Sequence, residues 1–197
     1  VELATVYQKR GQREQQAALL NQLQTAYRSG SVPARRVDDV AQVLADPELG
    51  TPDEKTAQQL LEQLAPSYPA AWVSLARLLY DYPALGDIEL GYLEQGRKAE
   101  LPRADLLLGK LYYEGKLLPR NPQKAEHHLL KAAPSENSAH YYLGQLYRRG
   151  YLGHVAPAQA LQHLLTAARG GQNSADFALA QMFSQGRGIK PNLVNAY

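Results

Sequence analysis

Residues 104–168 repeat themselves at an offset of 35 residues. Ala104 falls on Ala139, Leu108 on Leu143, Gly109 on Gly144, Tyr112 on Tyr147 and Gly115 on Gly150. Later in the unit Ala125 falls on Ala160, His128 on His163, Leu129 on Leu164, and Ala132-Ala133 on Ala167-Ala168. A period in this range marks a solenoid, in which each unit buries its apolar face against its neighbours and the core runs along the stack.

Each unit reads as two helices. Ala104, Leu108, Leu111 and Tyr112 recur at spacings of three and four, so they share one face of the first helix. Gly109 sits between them, where a glycine costs about 1 kcal/mol relative to alanine. Close approach of a neighbouring helix is the return expected for that cost. Gly115 ends the first helix, and Asn121-Pro122 starts the second, with Asn121 as cap and the proline in the first turn. Ala125, Leu129, Ala132 and Ala133 form the apolar stripe of the second helix. Small residues on both surfaces predict tight antiparallel pairing.

The same signal, an aliphatic residue, then Gly or Ala, then an aromatic or Leu three further on, occurs six times. It opens at Leu3-Ala4, Val40-Ala41, Leu75-Ala76, Leu108-Gly109, Leu143-Gly144 and Leu179-Ala180, at spacings of 37, 35, 33, 35 and 36 residues. A long second helix is expected over about 12–29, with Ala17, Leu20, Leu23 and Tyr27 inward. First helices are expected over 34–45 and 69–82, and second helices over 52–65 and 86–98. Thr51-Pro52-Asp53-Glu54 reads as a capping box. The last unit begins at Ser174, and its second helix is expected from Pro191. The chain starts inside a first helix and ends inside a second, which predicts a piece of a longer repeat protein, truncated inside a repeat at both ends.

Ala104, Leu108, Gly109, Tyr112, Gly115, Asn121, Lys124-Ala125 and Ala132-Ala133 resemble the Sel-like repeat family, relatives of the tetratricopeptide repeats. The second copy departs from the pattern at Ala156, in place of the cap, and at Gln159, in place of the lysine. The resemblance implies an all-α fold, a right-handed α-solenoid of stacked helix-turn-helix repeats with about five to six units, forming a single domain over 1–197. Over the whole run the chain is also similar to alginate-export lipoproteins of the bacterial outer membrane. That likeness implies a non-catalytic periplasmic scaffold, not an enzyme and without a cofactor. It would be tethered to the outer membrane by a lipidated N-terminus that this sequence does not include. The implied partners are the periplasmic acetyltransferase AlgX and the outer-membrane porin AlgE, which the scaffold would hold together. The alternative is direct binding of an acidic polysaccharide such as alginate along a basic concave groove.

Charge bears on both readings. The net charge is only +2. Residues 1–100 carry 10 Lys/Arg against 14 Asp/Glu, whereas residues 101–197 carry 11 against 5. The second half therefore suits an acidic partner, and nucleic acid is not expected without a recognition motif. Cysteine is absent, which removes disulfides, thiolate metal sites and cysteine nucleophiles. No stretch approaches the roughly 18 consecutive apolar residues of a membrane span.

In tetratricopeptide-like stacks the first helix of each unit lines the concave face. By that analogy Arg103, Leu106, Lys110, Tyr113 and Glu114 point into the groove. One unit on they are Ser138, Tyr141, Gln145, Arg148 and Arg149, and one further Ser174, Phe177, Gln181, Ser184 and Gln185. Arg103, Lys110, Tyr113, Tyr141, Gln145, Arg148, Arg149 and Gln181 are the candidate partner-binding residues, because arginine and tyrosine dominate binding hot spots and arginine forks match carboxylates. His128 and His163 occupy equivalent positions and could in principle share a metal. No third strong ligand is evident, and partly exposed helix histidines are the simpler reading. Gly186-Arg187-Gly188-Ile189-Lys190 looks faintly like a phosphate loop, but it lacks the spacing and reads as a turn.

Overall fold

The computed structural model describes residues 1–86 and 90–186. They fold into eleven α-helices and one short 3-10 turn, Pro83–Leu85, with no strand among the described residues. The helices are α1 (Glu2–Arg10), α2 (Arg13–Arg28), α3 (Ala34–Ala45), α4 (Glu54–Leu64), α5 (Ala70–Asp81), α6 (Leu90–Lys98), α7 (Pro102–Glu114), α8 (Pro122–Ala132), α9 (Asn137–Arg149), α10 (Pro157–Arg169) and α11 (Asn173–Gln185). The helix expected from Pro191, the turn at Arg187–Lys190 and the first residues of the helix expected from 86 lie outside the described residues.

The chain forms two compact units, Val1–Ala99 and Glu100–Tyr197. In each, successive helices pair as hairpins and the hairpins stack, so that burial follows the repeat. In the second unit α7 pairs with α8 and α9 with α10, and α11 packs on α10. Ala125, Leu129, Ala139, Leu143, Leu146, Ala160, Leu164 and Ala175 are fully buried in one cluster. In the first unit the equivalent cluster holds Ala41, Leu44, Ala57, Leu61, Leu64 and Leu75.

Gly109 and Gly144 answer the question that the sequence posed. A Cβ on Gly109 would stand 2.6 Å from Leu129 Cγ and 3.3 Å from the Ala125 carbonyl oxygen. A Cβ on Gly144 would stand 2.6 Å from Leu164 Cγ and 3.4 Å from the Ala160 oxygen. The glycines are the surface onto which the leucines of the second helices close. The hairpin links begin with Gly115 and Gly150, both at φ 68°, in the left-handed region that glycine enters at little cost. Asn121 caps α8 through Oδ1, which accepts from the Lys124 amide at 2.9 Å.

Two local expectations are corrected. The cap of α4 is Asp53, whose Oδ1 accepts from the Thr56 amide at 3.3 Å, and not Thr51. In α2 it is Gln16 that is buried, while Ala17 is exposed, and Leu23 and Tyr27 are only half-buried. The cause is the link: α1 and α2 are joined by Gly11 and Gln12 alone, whereas seven residues join α7 to α8 and α9 to α10. The inward stripe of each second helix starts four residues after its cap. That rule gives Ala57 from Asp53, Ala125 from Asn121 and Ala160 from Ala156, and it gives Gln16 from Gln12.

Candidate partner-binding site

The second unit gathers most of the candidate residues on one face. Arg148, on the last turn of α9, reaches the next repeat: its Nη1 donates to Gln181 Oε1 on α11 at 2.9 Å and lies 3.5 Å from the Ala178 carbonyl oxygen. Its Nε donates to Gln145 Oε1 at 3.1 Å, and Gln145 Nε2 donates to the Tyr141 hydroxyl at 2.9 Å. Gln145 is only 4% exposed, so it does not face a partner but orients Arg148 and Tyr141 from beneath. Arg148, Arg149, Tyr151, Val155, Gln181 and Gln185 line an open cleft of about 850 Å³.

Beside the cleft stands an aromatic cluster that the first-helix positions alone did not reveal. The Tyr113 ring meets Tyr142 edge-on at 5.4 Å between centroids and Tyr151 at 5.9 Å, and Tyr141 meets Tyr142 at 5.3 Å. Arg149 Nη1 donates to the Tyr151 hydroxyl at 3.1 Å. The Arg120 guanidinium lies over the Tyr151 ring at 5.0 Å and donates to the Glu114 carbonyl oxygen at 3.2 Å. Arg120 and Arg149 thus bring two cations to Tyr151, while the Glu114 carboxylate acts on Tyr142 in the same cluster. The arginines act on the phenol in turn: the hydrogen bond from Arg149 holds the Tyr151 hydroxyl below its ordinary range, although burial works the other way. Burial pushes the Tyr113 and Tyr142 hydroxyls above theirs.

Not every candidate belongs to this group. Arg103 is an exposed side chain at the start of α7 and pairs with Glu136 at 3.4 Å. Lys110 is half-buried on α7. Phe177, at the position of Tyr141 one repeat on, is 68% exposed, a large apolar side chain left open on α11, the helix that also gives the cleft Gln181 and Gln185. Tyr151 and Arg120 escaped the sequence reading because they lie in the inter-helix links. The equal length of the two links was the available signal, since it carries both residues to the same edge.

The histidines do not come together as a shared metal site. His128 Nδ1 lies 2.8 Å from Asp105 Oδ1, and His163 Nδ1 lies 2.9 Å from His140 Nδ1. These are the same two positions 35 residues apart, filled by carboxylate and imidazole in one hairpin and by two imidazoles in the next. Glu126 accepts from the Tyr147 hydroxyl at 2.7 Å, and the Tyr147 ring stacks on His163. Burial, and then the neighbouring His140, hold His163 below the ordinary histidine pKa. The unfolded chain therefore takes up this proton more readily than the folded one. The stability contribution is complete above about pH 6.5 and falls as the pH drops below that value, until folded His163 is itself protonated. Urea midpoints are expected to be lower at pH 5 than at pH 7.5, and His163→Gln is expected to flatten that difference.

The fold and its repeats define a class. The chain belongs to the Sel1-type tetratricopeptide repeat proteins: Sel1 repeats match residues 102–133, 137–172 and 173–197, and the AlgK tetratricopeptide repeat domain matches residues 1–65. Among curated proteins it is 66% identical over its full length to the alginate biosynthesis protein AlgK of Pseudomonas syringae pv. tomato, and 66% identical to that of Pseudomonas aeruginosa. To AlgK of Azotobacter vinelandii it is 55% identical over 89% of the chain. The chain spans 42% of the length of the two Pseudomonas proteins and 38% of the Azotobacter protein. Two solved structures share the fold, each with a TM-score of 0.67. A Sel1 repeat protein from Oxalobacter formigenes is 20% identical, with 83% of this chain and 69% of that one covered. The protective antigen c5321 of uropathogenic Escherichia coli is 22% identical, with 88% and 38% covered. No helix among the described residues is long and apolar enough to cross a membrane.

Proposed function

We propose that the chain is part of a non-catalytic scaffold in alginate biosynthesis and export, and that its second unit docks an acidic protein partner. The observation that carries this reading is the basic, tyrosine-rich face on which Arg148 bridges two repeats and Arg149 and Arg120 meet on Tyr151, with Phe177 exposed on α11. Arginine and aromatic anchors around an open cleft are what an interaction hot spot requires. Identity to the AlgK proteins supports the pathway. A place outside the cytoplasm, associated with the outer membrane, belongs to the same proposal. The partners proposed are AlgX, the modification enzyme, and AlgE, the porin, which the longer repeat protein would hold together.

One feature favours a second reading. The amide side chains of Gln181 and Gln185 flank Arg148 and Arg149 in the same cleft, and a polyuronate offers one carboxylate per sugar to such donors. Calorimetry against purified AlgX and, separately, against oligomeric alginate, each at two salt concentrations, decides between them. Binding to AlgX is expected, weakened at least tenfold by Arg149→Ala and by Arg148→Ala and unchanged by Arg28→Ala on the first unit. Binding to alginate alone would move the assignment to the polymer. Silence toward both would overturn both readings.

A further inference from the structure

A cleft of about 480 Å³ opens in the first unit, between the second helices α2 and α4. Carboxamides line both of its walls. Gln12, Gln16 and Gln24 lie along α2, and Gln59 and Gln63 stand opposite on α4. The floor is aliphatic, made by Leu20, Leu44 and Leu60, and Tyr7 is the one aromatic residue on the lining. Arg13 and Asp53 are the charged members and oppose each other in sign.

On the wall of the cleft, Gln16 stands where α4, α8 and α10 have alanine. Gln16 is 93% buried, being 7% exposed, and its Nε2 donates to the Ala4 carbonyl oxygen at 3.3 Å. That bond fixes which end of the amide is the acceptor, and the acceptor, Oε1, is buried without a partner. Gln12 stands at the cap position of α2, yet it makes no cap bond, and its Oε1 is also buried and unpartnered. A buried acceptor without a donor costs roughly 1–3 kcal/mol. An occupant that brings N–H or O–H groups would relieve that cost.

We infer that this cleft binds an extended, uncharged polypeptide segment through its main chain. Gln12 and Gln16 are one helical turn apart, about 6 Å along the axis. On one side of an extended chain the amide groups recur every second residue, at about 6.6–6.8 Å. Gln59 and Gln63 repeat the spacing on the facing wall, so both edges of the segment meet carboxamides. From Gln12 to Gln24 the row measures about 18 Å, room for five or six extended residues. Alternate apolar side chains would rest on Leu20, Leu44 and Leu60. Sugars also carry hydroxyl donors, but their rings are held by flat aromatic faces, which this floor lacks. The site lies in the other unit from the basic cleft and does not depend on the function proposed for it.

An array of end-blocked hexapeptides tests the inference on the full chain. The peptides carry Leu, Val or Ala at alternate positions and Ser, Thr or Asn between them. Members are expected to bind with little change between 50 and 500 mM salt, and to lose binding when alternate amides are N-methylated. Gln16→Ala, which restores the residue found at Ala57, Ala125 and Ala160, is expected to weaken binding about tenfold without lowering the melting temperature. Gln59→Ala, on the exposed wall, is expected to weaken it similarly. The proposal is overturned if no peptide binds, if binding survives N-methylation, if neither variant changes it, or if maltohexaose binds in place of the peptides.

Discussion

Gly144→Val is expected to destabilise the second unit by about 3 kcal/mol, the upper end of what over-packing a helix contact costs. Alanine there already places a carbon 2.6 Å from Leu164 Cγ and 2.8 Å from its Cδ2, with the Ala160 carbonyl behind. Leu164 is fully buried, so its branch point has nowhere to move without displacing α10. Gly144→Ala is expected to cost less, because alanine returns about 1 kcal/mol of helix propensity. Urea unfolding followed by circular dichroism measures both. The decisive comparison is the double variant. Leu164→Ala alone should cost about 2–5 kcal/mol as a large-to-small core change. Combined with Gly144→Ala it should cost clearly less than the sum, since the smaller side chain frees the space that the new methyl needs. Strict additivity would mean that the two side chains do not meet.

Gly50→Ala is expected to have an effect of similar size on the first unit, through backbone rather than side chain. A Cβ at Gly50 would lie 2.6 Å from the Gln8 carbonyl oxygen and 3.3 Å from its carbon. A leucine end can rotate away, but a helix carbonyl cannot. The same residue ties α1 to the link between α3 and α4: Gln8 Nε2 donates to the Thr51 carbonyl at 2.8 Å and to the Leu44 carbonyl at 3.3 Å. Moving the Gln8 backbone strains both bonds, and a loss of about 3 kcal/mol follows. Trp72 is the single tryptophan and belongs to this unit, where it stacks on Tyr92 at 4.9 Å. Its fluorescence reads the transition locally. A midpoint unchanged in Gly50→Ala would show that the link can yield.

Much of the architecture was legible because a repeat states the same requirement several times. Gly109 and Gly144 stood at one position in two copies, and the helix approach that they permit follows from that alone. Ala17 was misplaced because alanine is what the stripe requires; the two-residue link shifts α2 so that Gln16 takes the place. Thr51 gave way to Asp53 because both are good caps, and only the backbone decides where the first turn begins. On the partner-binding face the row of first-helix positions was visible, but the direction of each side chain was not. Gln145 turned out to lie beneath its neighbours, and Tyr151 and Arg120 enter from links that carry no periodicity. The histidines show the same limit. Equivalence of His128 and His163 can be counted, whereas their partners Asp105 and His140 depend on how α7 meets α8 and α9 meets α10.

The identical closures of Gly109 on Leu129 and Gly144 on Leu164 carry a cost in recognition. Two locks cut to one pattern accept each other's keys: α7 would fit α10, and α9 would fit α8, with the same glycine under the same leucine. The fasteners themselves cannot tell a correct pairing from a swapped one. What can tell them apart is the tether, since a seven-residue link holds each second helix at high effective concentration beside its own first helix. Correct assembly here is thus a matter of arriving first. Lengthening the link between Gly115 and Asn121 would erode that head start and admit exchange between copies, even with every packing residue left in place.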